Sequence, residues 1–284
     1  MGANVKAIRG RIRSVESTMH ITKAMQLVAS SKLRRATERM EQSRFFFETM
    51  EAALGSFGAG LTGSVYAERR EGGERVFIVI AGDRGLAGGY NSNVFRAAAV
   101  SAAATQEPYA VLPIGRKALE YYRRRGVTIV GEGYASLEDF SMQDCAAVGR
   151  MLAEGFRDGR YSEITLVYTG YLSMLSQAPL TLPLLPLQAK PESETVGSRA
   201  LVLFEPSEAE VLEAIMPEYL SGLIYGAICE SYTSELAARR TAMDSATKNA
   251  EEMIEDLSLK YNRARQSAIT QEITEIIGGS GGEQ

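Results

Sequence analysis

Residues 75–93 read RVFIVIAGDRGLAGGYNSN, an apolar run followed by four glycines and a polar stretch. The apolar run predicts a buried β-strand, and the polar end predicts a helix with Asn91 or Ser92 as its N-cap. A strand, a glycine-rich turn and a helix in this order are typical of nucleotide-binding α/β proteins. The stretch therefore predicts an α/β fold and raises the question of whether loop 82–89 holds a phosphate.

The spacing of the glycines argues against a phosphate site. A Walker A loop places Lys and then Ser or Thr after its last glycine, where this chain has Tyr90 and Asn91. The pattern GxGxxG is absent, and the second strand ends in Gly115 and Arg116 where ribose recognition needs an acid. We expect a tight turn in which glycine permits positive φ. The alternative is a free-standing nucleotide-binding α/β protein that uses loop 82–89.

Strand-like and helix-like segments alternate around this stretch, from residue 74 to about 195. This alternation predicts a Rossmann-like α/β domain over 74–195, with a sheet covered by helices. The Pro-rich segment 178–187 is expected to be an edge strand or a loop, and 189–200 a loop. Further strands are predicted at 109–115, 128–133 and 163–173, and further helices at 116–126 and 137–159.

A long segment without proline precedes this domain, over residues 1–57. It predicts one helix of about 50 residues, or about 75 Å at the rise of an α-helix. A helix of that length must pack on a partner of similar length. Its apolar stripe consists of Ile8, Ile12, Val15, Met19, Met25, Val28 and Met40.

A second long helix is predicted over residues 207–284. Ser207 and Glu210 have the spacing of a capping box, and Pro217 is expected to kink or break the first turns. Further along, steps of three and four residues predict a supercoiling seam. That seam consists of Met243, Ala246, Ala250, Met253 or Ile254, Leu257, Tyr261, Ala264 and Ala268.

Charge favours pairing of the two terminal helices. Residues 1–44 hold ten basic and three acidic side chains, whereas residues 205–284 hold six basic and fifteen acidic ones. Opposite charge at the two ends favours a long antiparallel coiled coil of the N-terminal and C-terminal helices. The basic segment alone would also suit a helical arm that clasps nucleic acid or a membrane surface. We expect no nucleic-acid partner, since no aromatic residue precedes Phe45 to stack on bases.

Residues suited to catalysis are scarce. His20 is the only histidine, and Cys145 and Cys229 lie far apart in the sequence, which disfavours a zinc site. No nucleophile is spaced to pair with a base, and no apolar run reaches the roughly 20 residues that span a bilayer. We therefore expect a non-catalytic chain without cofactor, metal or direct small-molecule ligand.

Three stretches resemble the signature sequences of the gamma subunit of F-type ATP synthases, bacterial type. They are ITKAMQLVASSKLRRA at 21–36, GDRGLAGGYNSN at 82–93 and YNRARQSAITQEITEIIGG at 261–279. The resemblance implies a rotor that transmits torque between a proton- or sodium-driven c-ring and the catalytic ring. It implies as partners three alpha and three beta subunits, the epsilon subunit and the c-ring, with catalysis on beta. It also implies a peripheral position on the cytoplasmic face of the bacterial plasma membrane.

The same resemblance carries site residues over position by position. Glu205, within FEPS, matches a position in the foot near the c-ring, and Arg34 is basic enough to join the beta contacts. Without the resemblance, each of these residues would be an ordinary polar position on a helix or before one. The implied contacts to the beta subunits are Lys23, Met25, Lys32, Arg265, Gln266, Thr270 and Glu272.

We predict that the purified chain binds neither ATP nor NAD with useful affinity, because no Walker lysine or ribose-binding acid accompanies the glycines. Equilibrium dialysis at millimolar nucleotide measures this directly. Saturable one-to-one binding tighter than about 100 µM, roughly −5.5 kcal/mol, would contradict the prediction and support the nucleotide-binding alternative.

Overall fold

The computed structural model describes residues 2–55, 64–68, 70–105, 107–131, 134, 136–187, 205 and 207–280. The predicted loop 189–200 lies outside the described residues. The chain divides into two compact units, one formed by residues up to Ser30 and from Arg239 onward, the other by Ser31–Ala238. The elements are α1 (Gly2–Gly55), β1 (Glu74–Ile80), α2 (Tyr90–Ala103), β2 (Tyr109–Ile114), α3 (Arg116–Arg125), α4 (Met142–Arg157), β3 (Tyr161–Tyr171), β4 (Gln177–Leu185) and α5 (Glu208–Ser280).

A four-stranded sheet in the order β2-β1-β3-β4 forms the centre of the second unit. β1 pairs in parallel with β2 and β3, and Val76 lies opposite both Ala110 and Ile164. β4 pairs antiparallel with β3 at the edge, as its prolines predicted, because proline cannot donate to a neighbouring strand. The fold is therefore α/β, with a mixed sheet.

The predicted strand 128–133 is not a strand in the described residues. Ile129 and Tyr134 form only isolated bridges, to Val111 and Ile114 respectively. Residues 132 and 133 lie outside the described part of the chain. The segment contains two glycines, which weaken a strand and leave no side chain to pack, and this explains why the ladder does not develop.

Both faces of the three parallel strands are buried, as is usual for parallel strands with helical crossovers, whereas much of β4 is exposed. Val76, Ile78 and Ile80 point to one face, where they join side chains of α4 and α5 in the larger core. Phe77 and Val79 point to the other face and pack on α2 and α3. This alternation follows the two-residue period of a β-strand.

α4 and α5 approach each other closely at Gly149. A Cβ on Gly149 would lie 2.3 Å from Ser221 Oγ and 2.5 Å from the Pro217 carbonyl oxygen. Pro217 was expected to kink or break the first turns, and the break does not occur, since Pro217 lies inside α5 without ending it. Ser221 Oγ donates a hydrogen bond of 2.6 Å to that carbonyl.

α5 includes an 18-residue window with mean hydropathy 1.2, long and apolar enough to cross a membrane. Half of that window is buried, and packing in the core explains its apolar character.

The first unit is an antiparallel helix pair. Thr22 Oγ1 lies 2.8 Å from Thr247 Oγ1, and Gln26 Nε2 donates to Asp244 Oδ1 at 2.9 Å. Moving from residue 22 to 26 on α1 corresponds to moving from 247 to 244 on α5, so the two helices run in opposite directions. The antiparallel pairing predicted from charge and periodicity is confirmed.

The burial pattern fixes the seam more closely than the sequence did. Ile254 is half-buried while Met253 is 46% exposed, so Ile254 takes the seam position that the sequence left open. Val28, expected in the seam, is 57% exposed, and its neighbour Ala29 is buried instead. Thr22 also joins the seam. A short polar residue at such a position does not stand out in a pattern of apolar side chains.

We predict that Ala250→Phe lowers the free energy of unfolding by about 1–3 kcal/mol, because Ala250 is buried between the helices and a ring would force them apart. Glu251→Gln, an exposed neighbour, should change it by less than about 0.5 kcal/mol. Urea unfolding followed by circular dichroism measures both. Equal effects at the two positions would show that Ala250 does not lie in a packed seam.

Candidate partner-binding surfaces and the glycine-rich loop

One set of predicted site residues forms a polar face near the end of α5. Arg265, Gln266, Thr270 and Glu272 are all exposed, while the neighbouring seam residues are half-buried. Thr270 Oγ1 donates to the Gln266 carbonyl oxygen at 3.0 Å, so its hydroxyl offers an acceptor rather than a donor to any partner. The face can form several weak hydrogen bonds and one or two charged contacts.

Lys23 and Met25 lie in the same unit but far from that face. Lys23 is exposed and Met25 half-buried. The Thr22–Thr247 contact fixes the register, and Gln266 lies 19 residues further along α5, or about 28 Å. The structure therefore separates these residues into two patches on one helix pair.

α5 extends past the start of α1. The same register places residue 267 opposite the beginning of α1 at Gly2, so within the described residues α1 does not flank the turns of α5 that follow. Ile269, Ile273 and Ile277 recur every four residues there, and all three are exposed. An exposed apolar stripe on a single helix marks a surface that a partner covers. The sequence did not reveal this stripe, because its isoleucines lie inside the signature stretch and fit the pattern of a paired helix equally well.

Lys32 is engaged within the chain. Its Nζ donates to both carboxylate oxygens of Glu138, at 2.6 and 2.8 Å, and both side chains are partly exposed. Arg34 makes a weaker pair with Glu38 on the same helix, at 3.5 Å. A partner that uses Lys32 would have to compete with Glu138, which makes Lys23 the more accessible cation of the two.

Glu205 is exposed just before α5. The helix that follows begins with Ser207 as its side-chain cap, since the Glu210 N–H donates to Ser207 Oγ at 3.3 Å. The Ser207 hydroxyl, not a backbone N–H, donates to the Glu210 carboxylate at 3.0 Å, so these bonds make one half of the predicted capping box. The cap satisfies a backbone donor at the start of the helix. Glu205 therefore lies at a rigid helix start and remains accessible.

The glycine-rich loop after β1 is held by its own side chains. Asn91 Oδ1 accepts from the Gly82 N–H at 2.9 Å, so the residue expected as a helix cap ties the loop to β1 instead. Asp83 accepts from the backbone N–H groups of Arg116, at 3.2 Å, and Leu137, at 2.8 Å. In a phosphate-binding loop such amides face the ligand. Here the Gly82 N–H is already satisfied by Asn91, and Asp83 directs its carboxylate to amides outside the loop.

A carboxylate also lies against the loop. A Cβ built on Gly82 would lie 2.6 Å from Glu235 Cδ, so the missing side chain of Gly82 leaves room for that carboxylate. Glu235 is buried, so its carboxyl group already occupies the space beside Gly82 that a ligand of the loop would need. The arrangement disfavours the nucleotide-binding alternative. Gly88 and Leu86 adopt the positive φ of a tight turn, whereas Gly82 serves a close approach.

A second carboxylate of α5 reaches the sheet nearby. Glu230 lines a cavity of about 230 Å3 between α1, the β3–β4 hairpin and α5, with Arg44 at 3.6 Å. Burial raises the pKa of Glu230, and Arg44 opposes that rise. The Tyr171 N–H also bonds to this carboxylate. No spacing in the sequence signals this contact, because the groups come from three separate elements.

Comparison with known proteins adds independent findings. A family model described as ATP synthase matches residues 4–281. The chain is similar to the ATP synthase gamma chain of Ruminococcus albus, with 44% identity and coverage of 98% of each chain. It is 40% identical to the sodium ion specific ATP synthase gamma chain of Acetobacterium woodii, covering 99% of each.

The fold comparison agrees with the sequence comparison. A chain of the Euglena gracilis mitochondrial ATP synthase, solved as OSCP, F1 and c-ring in rotational state 3, superposes with a TM-score of 0.70 at 19% identity. The match covers 99% of this chain and 95% of that one. The likeness extends over both units.

We predict that Asp244 makes stability depend on pH. A hydrogen bond from Lys248 Nζ, at 2.8 Å, lowers the pKa of Asp244, and Gln26 adds a second bond. A lowered pKa stabilises the fold above the unfolded value of about 3.9, and that stability is lost as pH falls through the folded value.

Urea unfolding of the parent chain and of Asp244→Asn, which keeps the oxygen that faces Gln26, measures the effect. The parent should be the more stable at about pH 6, and the difference should shrink by about pH 3. In a Lys248→Gln background, the difference in stability that Asp244→Asn makes should be small at both pH values. A difference that does not change with pH would contradict the assignment.

Proposed function

The chain belongs to the family of ATP synthase gamma chains and is a central-stalk subunit of an F-type enzyme, and we propose that its helix pair transmits torque. At one end, torque passes to or from a proton- or sodium-driven c-ring. At the other end, it passes to a ring of three alpha and three beta subunits during ATP synthesis or hydrolysis. The epsilon subunit completes the set of partners.

The observation that carries this proposal is the packing of α1 against α5 in the first unit, together with the polar outer surface of that helix pair. Buried alanines and threonines let α1 and α5 approach closely, and two interdigitated helices resist twisting better than one. The residues outside the seam are exposed and mostly polar. A stiff core supports transmission of torque, and a polar exterior supports contacts that release on each turn.

We assign catalysis to the beta subunits and a biasing role to this chain. An asymmetric shaft favours one conformation of a surrounding subunit only through contacts that differ between conformations. The exposed face of Arg265, Gln266, Thr270 and Glu272 supplies such contacts to a beta subunit. Neutral hydrogen bonds of about 0.5–1.5 kcal/mol each can form and release without trapping the shaft.

Lys23 and Met25 form a second contact with beta, about 28 Å from the first along the helix pair. Lys23 is exposed and suits an acidic loop, and Met25 is a flexible apolar neighbour. Lys32 joins them only if its bond to Glu138 is exchanged for a partner carboxylate.

The stripe of Ile269, Ile273 and Ile277 suits an apolar surface of the surrounding ring that encloses the end of α5.

The contact with the membrane part of the enzyme is assigned to the second unit. We place Glu205 in the foot that contacts the c-ring, because it is exposed beside the capped start of α5. This orientation makes the chain a peripheral membrane protein on the cytoplasmic face of the bacterial plasma membrane. A carboxylate there suits polar or basic loops of the c-ring.

We predict that Gln266→Leu combined with Thr270→Val leaves the chain folded and assembled but lowers ATP hydrolysis severalfold. The two side chains lie on one helix face four residues apart, so a passing beta loop can contact both. Loss of about 1.4 kcal/mol corresponds to a factor of ten in rate. The measurement is steady-state hydrolysis by a reconstituted alpha–beta–gamma complex, normalised to gamma content.

A control uses the same Thr→Val change and a similar amide-to-Leu change elsewhere on α5. Thr241→Val with Asn249→Leu alters exposed positions of the same helix outside the signature stretch. The control complex should turn over at the parent rate. If both double variants behave alike, residues 266 and 270 form an ordinary solvated face and do not contact beta during turnover.

A further inference from the structure

A short polar stretch of α5 is buried within the second unit. Ser231, Thr233, Ser234 and Glu235 are all buried, although α5 is mostly apolar on its core-facing side in the turns before them. A buried polar group is tolerated where it makes specific contacts. The stretch lies just before Ala238, the last residue of this unit.

The glycine-rich loop supplies one of those contacts. The Glu235 carboxylate lies against Gly82, where a Cβ would be 2.6 Å from Cδ and 2.7 Å from Oε1. If α5 rotated about its own axis, Glu235 would have to move through the backbone of the loop or away from it. The contact is therefore a steric stop.

Tyr90 supplies a second contact one turn away. Its hydroxyl donates to the Ser231 carbonyl oxygen at 2.9 Å, and both residues are buried. Ser231 Oγ accepts from the backbone N–H of Thr169 at 3.1 Å. Ser231 and Glu235 are four residues apart, so they lie on one face of α5. That face is thereby bonded to the loop and to β3.

The opposite side of this stretch is closed by α1. Leu33 and Ala36 pack with Leu236 and Ala237 in a small apolar cluster. Apolar packing resists separation but has little directional preference, so it opposes rotation of a helix weakly. The hydrogen bonds of Ser231 and the close approach of Glu235 to Gly82 therefore add a directional restraint on the rotation of α5 at this stretch.

We infer that the glycine-rich loop is a socket that passes torque between the α/β sheet and α5, with Gly82, Tyr90, Ser231 and Glu235 as its positioning residues. The inference rests on the rotor function proposed above. It gives the glycine pattern of the loop a mechanical role, because Gly82 makes room for the carboxylate and the loop's side chains hold its backbone rigid.

The test measures the torsional stiffness of the rotor in single alpha–beta–gamma complexes. A bead is attached to Val100→Cys, a position on α2 that is 69% exposed, and the two native cysteines are buried and do not compete. Angular fluctuations of the bead during a pause give the stiffness. Gly82→Ala is compared with Gly85→Ala, where a Cβ meets nothing within 4 Å.

Gly82→Ala should lower the stiffness by about a third, since it displaces one of the three contacts of this face, and Gly85→Ala should leave it at the parent value. Equal stiffness of the two variants would overturn the socket. A parent bead that does not rotate with ATP would overturn the rotor function itself, so the two failures are distinguishable.

Two further variants test the same proposal if the Gly82→Ala chain fails to assemble. Tyr90→Phe keeps the ring and removes only the donor to Ser231, and it should soften the rotor in the same direction. Gly82→Ala in a Glu235→Ala background should be no softer than Glu235→Ala alone, because the methyl then meets no carboxylate. Parent stiffness for Tyr90→Phe, or additive softening in the double variant, would refute the socket.

Discussion

The close packing of α5 through small side chains is the constraint on which the rest of the molecule depends. In the first unit, buried Ala250 and Thr247 bring α5 against α1. In the second unit, Gly149 of α4 and Gly82 of the loop leave space for groups of the same helix. In each contact a small side chain, or none, lets another group approach closely. A larger residue at any of them would move the helix that both units share.

Polar groups within these contacts fix the alignment of α5 with the elements that pack on it. Leucine and isoleucine seams tolerate small slips, whereas the Thr22–Thr247 pair and the Gln26–Asp244 bond exist in only one alignment. The same reasoning applies to Tyr90 and Ser231 in the second unit. Stability comes mainly from the apolar area that is buried, and the hydroxyl, amide and carboxylate contacts select one arrangement of it.

Much of the architecture could be predicted from local pattern. The strand, glycine turn and helix at 75–93, the Pro-rich edge strand and the antiparallel helix pair followed from period, turn chemistry and charge. The choice between Met253 and Ile254 could not be made, because both fit a step of three or four. Asn91 was misassigned for a related reason: it has the chemistry of a cap, and a tertiary contact to Gly82 takes its side chain. The beta and c-ring contacts came from resemblance to a family, whereas Glu235 and Gly82 are 153 positions apart and no local pattern joins them.

The sheet ends in prolines on both sides. Pro113 lies in β2 at one edge, and Pro179 and Pro183 lie in β4 at the other. A proline offers no N–H to an incoming strand, so neither edge presents a full row of donors to another chain. A rotor subunit must exist unassembled for some time before the ring closes around it. The bridges from Ile129 and Tyr134 cover part of the β2 edge. The prolines of β4 are suited to protect the other edge during that interval, because two copies that met there would add strand to strand and aggregate.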